Sequence, residues 1–199
     1  MKPPFSWRGL RLRVPAGRQV RQAHRLSFPV SGPVRIALLE QGFWAERNVR
    51  EFDAEDIAGL YLYAPEALVA PLHVALSLAD QKSRGLIDLG SLNVAIVVLT
   101  SLDDSPLTDD HRDLLWRAFG VPIFEQLRGS DGAVIARECE VHDGLHLHGS
   151  ADVVDLPGQI VSERCECGLE TPRLKSLASA YSAMLGTPES RGVGVTNRR

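Results

Sequence analysis

Val94-Ala95-Ile96-Val97-Val98-Leu99, then Thr108 to Gly120, then Val121-Pro122-Ile123-Phe124, is the stretch whose reading decides the fold. The first run is continuously apolar and rich in β-branched residues, as a strand buried on both faces requires. Pro106-Leu107 leads into Thr108, a residue type that caps helices. Two acids follow in the first turn, and Gly120 lies just past the last apolar position. This pattern predicts a helix from Asp109 to Phe119, with Leu114, Leu115, Ala118 and Phe119 as its buried stripe and Trp116 in the core. Val121 to Phe124 returns as a strand. Strand, helix, strand is the βαβ order of a parallel sheet.

Upstream, Pro29 to Pro33 punctuates entry into Val34-Arg35-Ile36-Ala37-Leu38-Leu39, a further β-compatible run where the core begins. Leu60 to Tyr63 is apolar and ends at Ala64-Pro65. From Glu66 to Ala79, Leu68, Leu72, Ala75, Leu76 and Ala79 recur at helical spacing, with Pro71 as a point of splitting or kinking. Downstream the character changes. Ala133 to Glu140 and Leu145 to His148 flank His142-Asp143-Gly144, and Asp-Gly between strand-like runs signals a hairpin. The expected fold class is therefore α/β: a partly parallel sheet with a βαβ unit, followed by a small antiparallel β subdomain. The division read along the chain is a basic arm (1–30), an α/β domain (31–130), the hairpin and C-x-C segment (131–175), and a helical or disordered tail (176–199) rich in Gly, Arg, Asn and Ser from Thr187 onward.

Composition excludes several classes. At 199 residues, with 44% apolar and 24% charged residues, the chain has the size and make-up of one ordinary globular core. No run approaches the roughly 20 apolar residues of a membrane-spanning helix, and the N-terminus has charge but no apolar h-region, so no secretory signal is read. A cytoplasmic location is expected. The net charge of -3 hides an uneven distribution, because Lys2, Arg8, Arg11, Arg13, Arg18, Arg21, Arg25 and Arg35 all precede the first acid, Glu40. Such an arm is most often a solvated terminus. With Phe5, Trp7 and Leu10 interleaved, peripheral membrane contact is its alternative use, and no specific nucleic acid is expected. Trp44 is either core or part of a partner surface.

The chain has three cysteines, an odd number that argues against a disulfide framework and for metal binding in a reducing compartment. If Asp143 and Gly144 are the two turn residues, Val141 faces His146 and Cys139 faces His148. Cys139 and His146 then share a side as diagonal neighbours, and His142 points the other way. His148 shares the Cys139 side and competes for the imidazole position. Cys165-Glu166-Cys167-Gly168 supplies two more thiols, which a turn at Gly168 can bring round one ion. Three thiolates and one imidazole make a closed tetrahedral shell of the kind used for structural zinc. The competing reading is of ordinary buried cysteines and polar histidines, since a lone C-x-C is shorter than the usual zinc spacing.

From Ser91 to Leu174 the sequence resembles the phenylacetate-CoA ligase branch of the adenylate-forming enzymes. The residues that carry the likeness are the apolar strand, Ser105-Pro106-Leu107-Thr108-Asp109-Asp110-His111-Arg112, the helix ending in Phe119-Gly120, Glu138-Cys139-Glu140, Asp143-Gly144-Leu145-His146, Cys165-Glu166-Cys167-Gly168 and Pro172-Arg173-Leu174. Leu60 to Leu68 extends the likeness more weakly upstream. Some members of that family carry a structural zinc at the matching positions, which implies Cys139, His146, Cys165 and Cys167 as the ligands.

The departures bear on catalysis. The family's Ser/Thr/Gly-rich phosphate loop has no counterpart before Val94. Phe124-Glu125-Gln126-Leu127-Arg128-Gly129 stands where the family has aromatic-Gly-x-Ser/Thr-Glu. Leu156 to Glu163 is too short for the ribose-holding aspartate segment, and no lysine follows Lys175 to serve as the catalytic lysine of the lid. These parts act together on an adenylating transition state, so no catalytic residue is assigned and no self-sufficient ligase is expected. The cofactor expected is structural zinc, without ATP or CoA for the isolated chain. The role expected is that of a binding or accessory protein with a protein partner or as a homo-oligomer, or else of a small subunit of a split acyl-CoA ligase. His24, His73 and His111 are read as surface or helix residues, and Glu138, Glu140 and Asp143 as solvated flanks of the hairpin.

Overall fold

The computed structural model describes residues 34–41, 48–148 and 158–175. The basic arm, Trp44, and the tail from 176 lie outside the described residues, as does part of the Leu156 to Glu163 passage. Nine strands and three helices follow in the order β1 (Ile36–Leu38), β2 (Val49–Glu51), α1 (Ile57–Tyr63), β3 (Ala67–Pro71), α2 (Leu72–Ser83), β4 (Ala95–Ser101), α3 (Asp109–Phe119), β5 (Ile123–Arg128), β6 (Val134–Glu138), β7 (Leu145–Leu147), β8 (Gln159–Val161) and β9 (Arg173–Lys175). The strands form one sheet ordered β2-β1-β3-β4-β5-β6-β7-β9-β8. It is parallel from β2 to β5 and antiparallel from β5 to β8. The hairpin and C-x-C segment thus extend the same sheet.

The βαβ expectation holds. Ala95, Val97 and Leu99 face one cluster, while Ile96 and Val98 face the other. Because both faces of β4 are buried, its sequence shows no period-two alternation. The buried residues of α1, α2 and α3 all join the Ile96 face. Thr108 caps α3: its hydroxyl accepts from His111 N, while His111 Nδ1 accepts from Thr108 N, each at 3.3 Å. Gly120 ends the helix in the left-handed region at φ 69°. Its buried stripe is narrower than expected, however. Leu115 is buried, Ala118 and Phe119 are half-buried, and Leu114 and Trp116 are 44% and 60% exposed, so Trp116 is not a core residue. The β5 strand also runs further than its reading, through Arg128.

Upstream the helical spacing misleads. Leu60 to Tyr63 belongs to α1, which Asp56 caps by accepting from Gly59 N at 2.8 Å. Ala67 to Pro71 is a strand, buried at every residue and paired with both β1 and β4. Pro71 is the junction from which α2 starts. It needs no amide donor there, so it terminates the ladder without breaking the helix. Among the described residues no helix is long and apolar enough to cross a membrane.

Candidate metal centre

Three short elements bring four ligand groups together. Cys139 follows the end of β6, His146 is the central residue of β7, and Cys165 and Cys167 lie in the loop between β8 and β9. Their ligand atoms all lie within 4.8 Å of one another. Cys139 Sγ stands 3.8 Å from Cys165 Sγ, and Cys167 Sγ stands 3.4 Å from His146 Nε2. The C-x-C loop is shaped by its own backbone: Gly168 N donates to Cys165 O at 3.0 Å, Cys165 N donates to Leu169 O at 3.3 Å, and Gly168 takes φ 88°. The turn expected at Gly168 is present.

The hairpin reaches the expected face by a different register. His146 pairs with Arg137, four residues from the expected Val141, and Glu138 pairs with Leu145, so the connection is the longer segment from Cys139 to Gly144. An even shift leaves every side chain on its original face, so Cys139 and His146 still share a side. The two-residue turn fails because the chain already turns at Cys139, whose carbonyl accepts from His142 N at 3.0 Å, and His142 is left-handed at φ 55°. Of the rival imidazoles, His142 lies on the opposite face, 3.1 Å from Glu138 Oε1 and stacked on Phe124. His148 is outside the group of four.

The surroundings suit a cation held by neutral imidazole and thiolates. Burial, with the nearby positive charges of Arg173 and Arg137, holds His146 below the usual imidazole range against the raising effect of its bond at Thr171. Its Nδ1 lies 2.9 Å from Thr171 Oγ1, which leaves Nε2 toward the sulfurs. Burial pushes the metal-free Cys139 thiol up to about 12. For Cys165, desolvation is outweighed by hydrogen bonds from Cys167 and Cys139 and by the charge of Arg173, and the thiol falls below its usual range. A bound cation favours the thiolate of all three. Arg173, almost fully buried, binds Asp143 and the carbonyl of Glu163, and Lys175 Nζ lies 2.8 Å from Asp143. Asp143, solvated as expected with its side chain 45% exposed, is therefore also a latch between the hairpin and β9. Gly144, at φ 88°, lets the hairpin approach that strand, since a Cβ there would sit 2.8 Å from Leu174 O. Gly144→Ala is expected to lower stability by about 1–3 kcal/mol, a loss read from the midpoint of urea unfolding.

A second polar cluster, missed in the sequence, occupies the opposite face of β6. Glu138 is buried, accepts from Glu125 N at 2.8 Å, and is bridged by Arg112 at 3.0 Å. Arg112 also lies 3.6 Å from Glu125, whose other oxygen accepts from Thr100 at 2.8 Å. A cavity of about 500 Å³ between α3 and the hairpin is lined partly by these groups and by the exposed face of Trp116. The one available signal was Arg112, an arginine on α3 one turn from a buried leucine.

No family model matches the chain, and no curated protein matches it. Among solved structures, it is similar to 2-hydroxyisobutyryl-CoA ligase, captured in an open conformation with 2-HIB-AMP and CoA: TM-score 0.51, 13% identity, over 71% of this chain and 47% of the ligase. The fold thus resembles part of a CoA ligase, and the chain spans less than half of that neighbour's length.

Proposed function

We propose that this chain is a non-catalytic, zinc-stabilised relative of phenylacetate-CoA ligase that acts in the cytoplasm as a binding or accessory protein. The observation that carries this reading is the spacing of the four ligand atoms on a CoA-ligase fold. Zinc holds sulfur at about 2.3 Å and nitrogen at about 2.0–2.1 Å, so tetrahedral ligands stand about 3.8 Å apart for two sulfurs and about 3.6 Å for sulfur and nitrogen. Two of the six separations, 3.8 Å and 3.4 Å, lie close to those of that shell, and all six fall within 4.8 Å. Three thiolates around a divalent ion leave one negative charge, and Arg173 supplies a buried positive charge beside it. A four-protein-ligand shell has no open position for a substrate, which favours a structural role.

Loss of catalysis is supported by β5, which carries Phe124-Glu125-Gln126-Leu127-Arg128 where the resembled enzymes have a Gly and a hydroxyl residue before a Glu. With Gln126 and Leu127 buried in the sheet, this segment offers no matching set of polar groups to a nucleotide. Elemental analysis of protein purified without added metal should find about one zinc per chain, and calorimetric titration with ATP or CoA should give no heat of binding. A metal-free protein with an unaltered melt, or ATP-dependent acyl-CoA formation by the chain alone, would remove the corresponding half of the proposal.

The likeness of the fold to part of a CoA ligase supports a second reading, a small subunit that completes a split acyl-CoA ligase with another chain. Copurification of such a chain, with ATP-dependent activity only in the mixture, distinguishes it from an accessory protein. Binding that is lost with residues 1–25 and weakened by salt would instead point to the basic arm and a membrane surface.

A further inference from the structure

We infer that the metal centre is also a two-electron redox device, in which a peroxide-class oxidant joins Cys139 to Cys165 and expels the metal. This inference rests on the zinc reading above and adds its regulation. The two sulfurs are in van der Waals contact at 3.8 Å, although they stand 26 residues apart in the sequence. Each is buried, whereas the chain's remaining cysteine, Cys167, which borders both of them, is the more exposed member of the cluster. Cys167 gives a small oxidant its way in, and the Cys139 and Cys165 pair gives the oxidised sulfur an immediate partner. A bond between Cys165 and Cys167 would instead have to close a ring across a single intervening residue, against the turn that Gly168 and Cys165 already make.

The chemistry balances with hydrogen peroxide as the oxidant. One thiolate attacks a peroxide oxygen; the O–O bond breaks, leaving a sulfenic acid and hydroxide. The second thiolate attacks the sulfenic sulfur, the S–O bond breaks, the S–S bond forms, and a second hydroxide leaves. Both hydroxides take up protons as water, so two thiolates lose two electrons and one peroxide gains them. The metal loses two of its three sulfur ligands. Cys167 and His146 alone do not make a closed shell, and the ion departs.

The consequence lies in what the cross-link keeps. It ties the end of β6 to the β8–β9 loop, as the metal does, so the antiparallel lobe changes its fastening without losing it. The contacts beyond the site, Arg173 on Asp143 and Gly144 against Leu174, need no rearrangement. Metal content would thereby follow the oxidant supply reversibly, since a strained or accessible disulfide is reopened by thiol reductants.

The test uses the full chain with the metal it carries when purified under reducing conditions. Hydrogen peroxide is added in small excess, released zinc is followed with a chromogenic chelator, and disulfides are mapped by mass spectrometry of non-reduced peptides. The expected result is loss of essentially all bound zinc, one Cys139–Cys165 disulfide, a free Cys167 thiol, and recovery of zinc binding after dithiothreitol and zinc are supplied. Cys167→Ser, which keeps both partners, should still form the same disulfide, whereas Cys139→Ser should not form a Cys165–Cys167 bond. Zinc retained with three reduced thiols, another pairing, or irreversible sulfinic acid would overturn the redox inference while the zinc reading stands. Protein that carries no zinc when isolated yet forms the Cys139–Cys165 disulfide would overturn the zinc reading and the release step and leave the cross-link standing.

Discussion

Cys165→Ser should strip the chain of zinc and lower its melting temperature by about 6–20 °C. The antiparallel lobe has little else to hold it. Its buried apolar cluster is Leu127, Ala136, Leu145, Leu147 and Leu174, and β7, β8 and β9 are each three residues long. Burying five side chains of this size contributes about 1.5–3 kcal/mol for each large one, from which the entropy of ordering the segment from 134 to 175 must be subtracted. Structural zinc contributes on the order of 10 kcal/mol in isolated zinc-finger peptides. On a sheet already started by β5 a smaller share is at stake, and a loss of about 3–5 kcal/mol corresponds to about 6–20 °C for a chain of this size. A hydroxyl at 165 keeps the shape of the thiol but not the thiolate, so the shell falls to two sulfurs and one nitrogen.

The effect should also be local. Hydrogen exchange with and without a chelator should show faster exchange in β6, β7 and β9 while β3, β4 and β5 keep their protection, because Val97, Val98 and their neighbours belong to a core the metal does not touch. A uniform loss of protection would mean that the two parts of the sheet unfold as one unit. An unchanged melt in chelator would mean that Arg173, Asp143 and Leu174 hold the lobe unaided.

Side-chain chemistry made the site more legible than the fold around it. The four candidate ligand residues could be read together because thiols are scarce in this sequence, because face assignment depends only on parity, and because the family resemblance points to His146 where parity leaves His148 equally placed. A hairpin register wrong by four residues still set Cys139 beside His146. Local caps made α3 readable to the residue. What stayed hidden was decided by tertiary contact. Ala67 to Pro71 is uniformly apolar, so its pleat left no alternation, and leucines on both sides of Pro71 happened to continue a helical spacing across two different elements. Glu138 looked like a surface acid because nothing near it in sequence reveals Arg112, 26 residues away, or the Glu125 amide it accepts from. Trp116 reads as core because it lies on the amphipathic helix, yet it sits on the rim of a cavity whose opposite wall, the hairpin, could not be positioned without the register.

Glu125→Gln should stabilise the protein, by about 2 kcal/mol more at pH 8 than at pH 5.5. Burial raises the Glu125 carboxyl to about 7, against the lowering effects of the Thr100 hydrogen bond and the Arg112 charge; Glu138 nearby adds to the rise. Its side chain is 7% exposed, so water does little to relieve the cost. A folded-state pKa raised from 4.5 means that the folded protein holds a proton the unfolded chain has already released. That contribution to stability is complete below about pH 4.5 and is lost as the pH rises through about 7. A displacement of this size is worth about 3 kcal/mol at most. Glutamine carries no such charge at any pH, keeps an oxygen to accept from Thr100, and leaves Arg112 paired with Glu138 alone. Stabilisation at pH 8 of up to about 3 kcal/mol is expected, because the rise to about 7 is already net of the attraction of Arg112. Unfolding free energies of the wild type and the variant, both saturated with zinc at each pH, isolate the effect, since any pH dependence of metal binding is common to the two. If their difference is the same at pH 5.5 and pH 8, Glu125 is not titrating in this range, and Arg112 holds it ionised throughout.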